Sequence, residues 1–183
     1  MEISDLDLVR KSAGGDHQAF HALVDRHAKA LFRIALSLSA SRPDAEDLVQ
    51  ETFAGAFKSL ARFDGRASVR TWLTRILMRR AADAWRSGRK MRGAISIDDD
   101  STEPVDAARS ASSPSVAVDR KLDVHMMLER LAPEHRQVLV LREMHGMSYA
   151  EMAQTLGVPQ GTVESRLHRA REELKRRLVD YVG

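Results

Sequence analysis

The 183-residue chain contains no cysteine. Disulfides and thiolate metal sites are therefore excluded, and a reducing compartment is permitted. Aromatic residues are few, with five Phe, two Trp and two Tyr, so Leu, Ala and Val at helical spacing must build most of any core. No run of 18 apolar residues occurs, and no membrane insertion is expected. The opening stretch MEISDLDLVRKSAGG is acidic and has no apolar h-region, which argues against a signal peptide. A cytoplasmic location is the default expectation. The chain also lacks a Gly-rich phosphate loop, a nucleophile–base pair and a spaced set of metal ligands. No catalytic residue, metal or cofactor is expected, and the chain does not read as an enzyme. His17 and His21 stand one turn apart and supply half a metal site, with no third ligand placed by sequence.

Strand signals are missing too; helical periodicity fills the space. Residues 1–88 carry 14 Lys+Arg against 11 Asp+Glu, residues 89–119 carry 4 against 6, and residues 120–183 carry 11 against 9. Two basic blocks thus flank an acidic connector. Ser4 and Asp16 can cap helices, the second running to Ser39 with Leu23, Leu31, Ile34 and Leu38 on its apolar side. Pro43 suits a first helical position, and Asp44, Glu46 and Asp47 favour the positive end of the helix that follows. Ser68 can cap another helix, apolar through Val69, Trp72, Leu73, Ile76, Leu77, Ala81 and Trp85. Residues 87–119 show no sustained periodicity; Asp98, Asp99, Asp100, Pro104, Pro114 and a Ser-rich run mark a flexible linker. The expected architecture is all-α: a helical domain at 1–88, a linker at 89–119 and a second helical domain at 120–183.

The second domain holds the most specific stretch, Ser148 to Leu178. Ala153, Gly157 and Val163 stand at offsets 0, +4 and +10. This is helix-turn-helix spacing: a small residue where two helices touch, a glycine in the turn and an apolar root for the second helix. Ser148 can cap the first helix, and Pro159 and Thr162 suit the start of the second. Val163, Leu167, Ala170, Leu174 and Leu178 repeat as a stripe expected to be buried. Ser165, His168, Arg169 and Glu172 avoid that stripe and look outward. From Gly161 to Leu178 six basic residues face three acidic ones, the excess that a helix entering a major groove needs.

Two segments together resemble the bacterial sigma-70 family of RNA polymerase sigma factors, in its small two-domain extracytoplasmic-function (ECF) form. One is Asp44-Ala45-Glu46-Asp47-Leu48-Val49-Gln50-Glu51-Thr52-Phe53, with Phe63 and Thr71-Trp72-Leu73, and looks like region 2. The other is Leu131-Ala132-Pro133, Arg136 and Val138, then the helix-turn-helix through Arg171, and looks like region 4. The resemblance implies a factor that binds core RNA polymerase through the β′ clamp helices and the β flap, and promoter DNA at its −35 and −10 elements. An anti-sigma factor is a further partner that the family suggests.

The same resemblance implies residue roles. Asp44, Asp47, Leu48, Gln50, Glu51 and Phe53 would dock on polymerase; the alternative is acids that stabilise a helix N-terminus, a role that suits Asp44 best, with Leu48 and Phe53 simply in the core. Phe63, Asp64, Arg66 and Ser68 would meet an unstacked −10 base, with Arg75, Arg79 and Arg80 on phosphates. Trp72 is either a stacking platform or a core residue. The family often carries Asn where this chain has Arg79, which alters the expected base preference. Gln160, Glu164, Ser165, His168 and Arg169 would face the −35 groove, Thr162 would belong to the same DNA-binding set, and Arg166 and Arg171 would hold phosphates or intramolecular acids. The acidic linker either mimics RNA phosphates or only keeps the domains apart. The competing reading is a stand-alone helix-turn-helix regulator that binds a two-fold site as a dimer.

Overall fold

The computed structural model describes residues 3–95, 127–128 and 130–182. The linker acids Asp98, Asp99 and Asp100 lie outside the described residues. Seven α-helices and no strand occur among the described residues. Helix α1 spans Asp5–Ala13, α2 His17–Leu38, α3 Arg42–Ser59 and α4 Val69–Ile95, with a 3-10 turn at Leu60–Arg62. Helix α5 spans Pro133–Leu139 and runs into a π-helical turn at Val140–Met144. Helix α6 spans Tyr149–Leu156 and α7 spans Gln160–Val182.

The caps explain where these helices start. Ser4 accepts from the Asp7 amide, Asp16 from the Ala19 amide and Ser68 from the Thr71 amide. Helix α3 begins one residue before Pro43, because Ser41 accepts from the Asp44 amide at 3.2 Å. Ser148 and Glu151 close a reciprocal capping box on α6. Gly157 ends that helix at φ 68°, a left-handed conformation that costs a side chain but not glycine. Helix α7 starts at Gln160, where the amides of Thr162 and Val163 both reach back to the Pro159 carbonyl. Thr162 therefore sits inside the first turn rather than capping it. Helix α4 continues to Ile95, ten residues past Trp85 and into the stretch read from sequence as linker.

The first unit is α1 to α4. Leu23, Leu31, Ile34 and Leu38 of α2 and Leu73 and Leu77 of α4 are each at most 2 % exposed. Each such side chain contributes about 1.5–3 kcal/mol of burial. Phe20 of α2 meets Phe53 and Phe57 of α3 edge-on, at 6.3 and 5.0 Å between centroids. Helix α1 is pinned by Asp5, which takes hydrogen bonds from Arg26 at 2.9 Å and shares one with His27 at 2.8 Å. Burial alone would raise the Asp5 pKa, but the hydrogen bond from Arg26 and the charge of His27 hold it below its usual value.

The second unit is α5 to α7. Val138, Leu141, Met152, Val163, Leu167 and Ala170 form its core, all at most 1 % exposed. The stripe of α7 is shorter than its spacing suggests. Leu174 is half-buried and Leu178 is 42 % exposed, because the helix outruns the layer formed by α5 and α6. The two units pack together, α4 against α5 and α6, and α2 against the π turn.

Candidate nucleic-acid interface

Three surfaces gather the residues singled out by sequence. The first is the N-terminal half of α7. Its buried side is Val163, Leu167 and Ala170, so Gln160, Glu164, Ser165, His168 and Arg169 are exposed together. Gln160 donates to the Glu164 carboxylate at 3.0 Å, which presents the two as one polar unit. Ser165 turns back to the Thr162 carbonyl at 3.0 Å. The side chains of His168 and Arg169 have no hydrogen bond or ion pair among the described residues. Arg166 is half-buried. Arg171 is committed elsewhere: it grips Glu143 of the π turn at 2.6 and 3.1 Å. Hydrogen bonding to Glu143 raises its pKa further.

The second surface is a cavity of about 510 Å³ beside the 3-10 turn, lined by Phe63, Asp64, Arg66, Trp72, Arg75 and Arg79 among others. Phe63 and Trp72 form its aromatic wall, centroids 4.9 Å apart. Trp72 is half-buried, so it packs on the core and faces the cavity at once. Asp64 accepts from the Arg66 amide at 3.1 Å, bending the loop at Gly65, where φ is 72°. Two expected members fall outside. Ser68 lines a neighbouring polar hollow with Arg70 and His145, and Arg80 lies over α3 at Gly55. An aromatic wall with cations around it can hold an unstacked base and the flanking phosphates.

The third surface is a groove of about 290 Å³ where the end of α2 meets α3 and α4. Asp44, Asp47 and Glu51 line it, over an apolar floor of Leu48, Ala81 and Ala84. Asp44 also accepts from Ser41 at 2.6 Å, so part of its capacity is spent on the cap. Gln50 is exposed outside the groove, and Phe53 is 7 % exposed in the core against Phe20.

Sequence reasoning missed a fourth set, the seam between the units. Arg136, 3 % exposed, places its guanidinium 4.4 Å over the Trp85 ring and donates at 2.5 Å to the Leu38 carbonyl. Gln137 donates at 2.6 Å to the Met78 carbonyl. Arg75 donates at 2.5 Å to the Gln154 carbonyl, next to the Gly157 turn. His145 meets Ser37 at 3.3 Å, and burial followed by the charges of Arg33 and Arg70 lowers its pKa. The one available signal was the polar pair Arg136-Gln137 immediately before the apolar run Val138 to Leu141.

An all-α chain that joins a helix-turn-helix to a second helical unit with an aromatic, arginine-rimmed cavity falls in the class of DNA-binding transcription factors. Comparison narrows the class. Residues 23–91 match the family model for sigma-70 region 2 and residues 121–174 that for sigma-70 region 4. The ECF RNA polymerase sigma factor SigE of Mycolicibacterium smegmatis is 36 % identical over 168 residues, 89 % of this chain, which spans 64 % of that protein's length. RNA polymerase sigma factor NccH of Alcaligenes xylosoxydans xylosoxydans is 35 % identical, over 93 % of this chain and 92 % of that one. The solved structure of CnrH in complex with the cytosolic domain of CnrY aligns at a TM-score of 0.67 and 31 % identity, covering 98 % of this chain and 99 % of that one. The chain belongs to the sigma-70 family and is an ECF-type RNA polymerase sigma factor. It directs promoter-specific initiation of transcription. No described helix is long and apolar enough to cross a membrane.

Proposed function

We propose that this sigma factor divides its work among the three surfaces. The exposed half of α7 reads the −35 element, with Gln160, Glu164, Ser165, His168 and Arg169 toward base edges and Thr162, Arg166 and Arg171 toward the backbone. The Phe63 cavity takes up an unstacked −10 base, Phe63 and Trp72 supplying the wall and Arg66, Arg75 and Arg79 the cations; Ser68 and Arg80 flank it. The acid-lined groove of Asp44, Asp47, Leu48 and Glu51 docks on the β′ clamp helices of core polymerase, with Gln50 at its edge and Phe53 supporting it from the core. The second unit contacts the β flap. Residues 1–88 and 120–183 act as two domains joined by 89–119. The factor works by binding rather than catalysis, in the cytoplasm. A protein partner that holds it inactive is the expected regulator, since the related CnrH was solved with the cytosolic domain of CnrY.

The Phe63–Trp72 cavity carries this reading, because a stand-alone regulator has no use for an aromatic base pocket beside its helix-turn-helix. The test is a promoter gel shift with and without core polymerase, run on wild type and on Asp47→Lys/Glu51→Lys. A specific complex that needs core, and that the charge reversal weakens without loss of helicity, is the expected result. Specific binding by the isolated chain as a dimer would favour the regulator instead.

A further inference from the structure

Helix α1 lies ahead of the region 2 segment, which begins at residue 23, yet it is tied to the first unit at several points. Leu8 and Val9 are buried in the core, and Asp5 is held by Arg26 and His27 of α2 at 2.9 and 2.8 Å. Arg26 also donates to the Ile3 carbonyl at 2.7 Å. Leu6 falls to one flank of the buried face and stays 42 % exposed. It ends beside the loop at 63–67 that borders the Phe63 cavity. Its Cδ2 stands 3.8 Å from the point where a Cβ on Gly65 would lie. Apart from the neighbouring loop residues, no other described atom comes within 4 Å of that point.

The two ends of this loop are anchored: Phe63 on Trp72, and Ser68 as the cap of α4. The bonds between them are internal. Asp64 accepts from the Arg66 amide at 3.1 Å and pairs with the Arg66 guanidinium at 3.4 Å. These set the shape of the bend without fixing where it stands against the body. The pair is also weak, because both side chains are mostly exposed. Leu6 is not among the residues that line the cavity, so it meets the bend from outside.

We propose that Leu6 is a positioning residue for −10 recognition: it backs the bend at Gly65, so that Phe63, Asp64 and Arg66 are presented to the unstacked base. The proposal rests on the −10 role given to the cavity above. A loop that holds its base-binding arrangement for only a fraction of the time binds in proportion to that fraction. Removing the Leu6 contact lowers the fraction while every group that touches DNA stays in the chain. Leu6 lines neither the acidic groove nor the exposed face of α7, so polymerase docking and −35 binding do not depend on it.

The test compares full-length Leu6→Ala, Leu6→Met, Phe63→Ala and the Leu6→Ala/Phe63→Ala double variant as holoenzymes with core polymerase. Affinity for core is read by fluorescence anisotropy, closed-complex binding by gel shift, and opening by permanganate reactivity of −10 thymines. Ala is the stronger helix former, so Leu6→Ala leaves α1 intact, with helicity checked by circular dichroism. Leu6→Ala should lower permanganate reactivity about three- to tenfold, the loss of one partly buried apolar contact, with core affinity and closed-complex binding unchanged. Leu6→Met keeps an apolar side chain of similar volume and should restore most of the reactivity. If Leu6 acts through the loop, its removal should cost less in the Phe63→Ala background than in wild type. Wild-type opening by Leu6→Ala overturns the proposal, as does an equal loss of core affinity or closed-complex binding. So does a Leu6→Met chain as defective as Leu6→Ala, or an undiminished cost in the Phe63→Ala background. In those cases the cavity keeps its −10 role as long as Phe63→Ala alone lowers reactivity. If Phe63→Ala opens the promoter as well as wild type, the −10 role of the cavity fails and the role of Leu6 with it.

Discussion

Arg169 and Arg171 stand two residues apart on α7 and should respond to removal in different ways. Arg169 is exposed and its side chain has no partner among the described residues. Arg169→Ala should therefore leave stability within about 0.5 kcal/mol of wild type. If its guanidinium pairs with a guanine in the −35 groove, removal costs roughly 1–3 kcal/mol at one base position, or about 5- to 150-fold at 298 K. Promoters with a different base there should hardly change, so the sequence profile flattens at one column. Arg171 starts from a different state. Its guanidinium is held by Glu143, both side chains half exposed, a pair worth roughly 0.2–1 kcal/mol. To hold a phosphate it must give that pair up. Arg171→Ala should lower output equally across promoters and reduce the salt slope by about one. Glu143→Ala should do the reverse, releasing Arg171 and raising output uniformly, by at most about fivefold. The assay is transcription by each holoenzyme across a library of −35 sequences at several salt concentrations. An Arg169→Ala profile that is a scaled copy of wild type would refute base reading by Arg169. A Glu143→Ala profile identical to wild type in level and salt slope would show that Arg171 does not reach phosphate.

Phe63→Ala and Arg66→Ala should reduce permanganate reactivity of −10 thymines more than they reduce closed-complex binding; equal defects on a pre-melted template would rule out a role in opening. Leu167→Ala removes a side chain 1 % exposed at the centre of the second unit and should cost about 2–5 kcal/mol, read as a lower thermal midpoint. The His145 pKa lies below its usual 6.5 because the closed seam disfavours the charged ring, through burial and then Arg33 and Arg70; Glu151 faces the same hollow. The folded chain therefore binds fewer protons at this site than the unfolded one. Its stabilisation is complete above about pH 6.5 and is lost as pH falls from there toward the lowered pKa. Denaturant midpoints measured from about pH 7.5 to about pH 5.5 should fall for wild type and fall less for His145→Gln. An identical slope in the two would remove His145 from the account.

Helix periodicity made most of the scaffold legible. The apolar repeats of α2 and α7 and the caps Ser4, Asp16, Ser68 and Ser148 act within one or two turns, and a one-dimensional pattern carries them. The outward face of α7 was legible for the same reason, since a buried stripe fixes what lies opposite. Other features depend on what arrives from elsewhere. Leu178 has the right spacing but no layer to cover it. The π turn begins inside the apolar run Val138 to Leu141 and changes register there, which periodicity does not resolve. The seam joins Arg136 to Leu38 and Gln137 to Met78, across 98 and 59 residues. Its bonds end on backbone carbonyls, which have no residue identity for a sequence to display. The cavity fell in between: Phe63, Asp64, Arg66, Arg75 and Arg79 line it together, while Ser68 and Arg80 turn to other neighbours.

The bond from Arg136 to the end of α2 also sets an order of events during synthesis. Ribosomes build the chain from its N-terminus at roughly 5–20 residues per second. Helix α4 is complete at Ile95 and Arg136 follows 41 residues later, an interval of about 2–8 s at that pace. Throughout it the Leu38 carbonyl has only water to bond, and Trp85 has no cation above it. A newborn chain thus passes through a few seconds in which its first unit stands without the cation that later bonds the end of α2 and covers a face of Trp85.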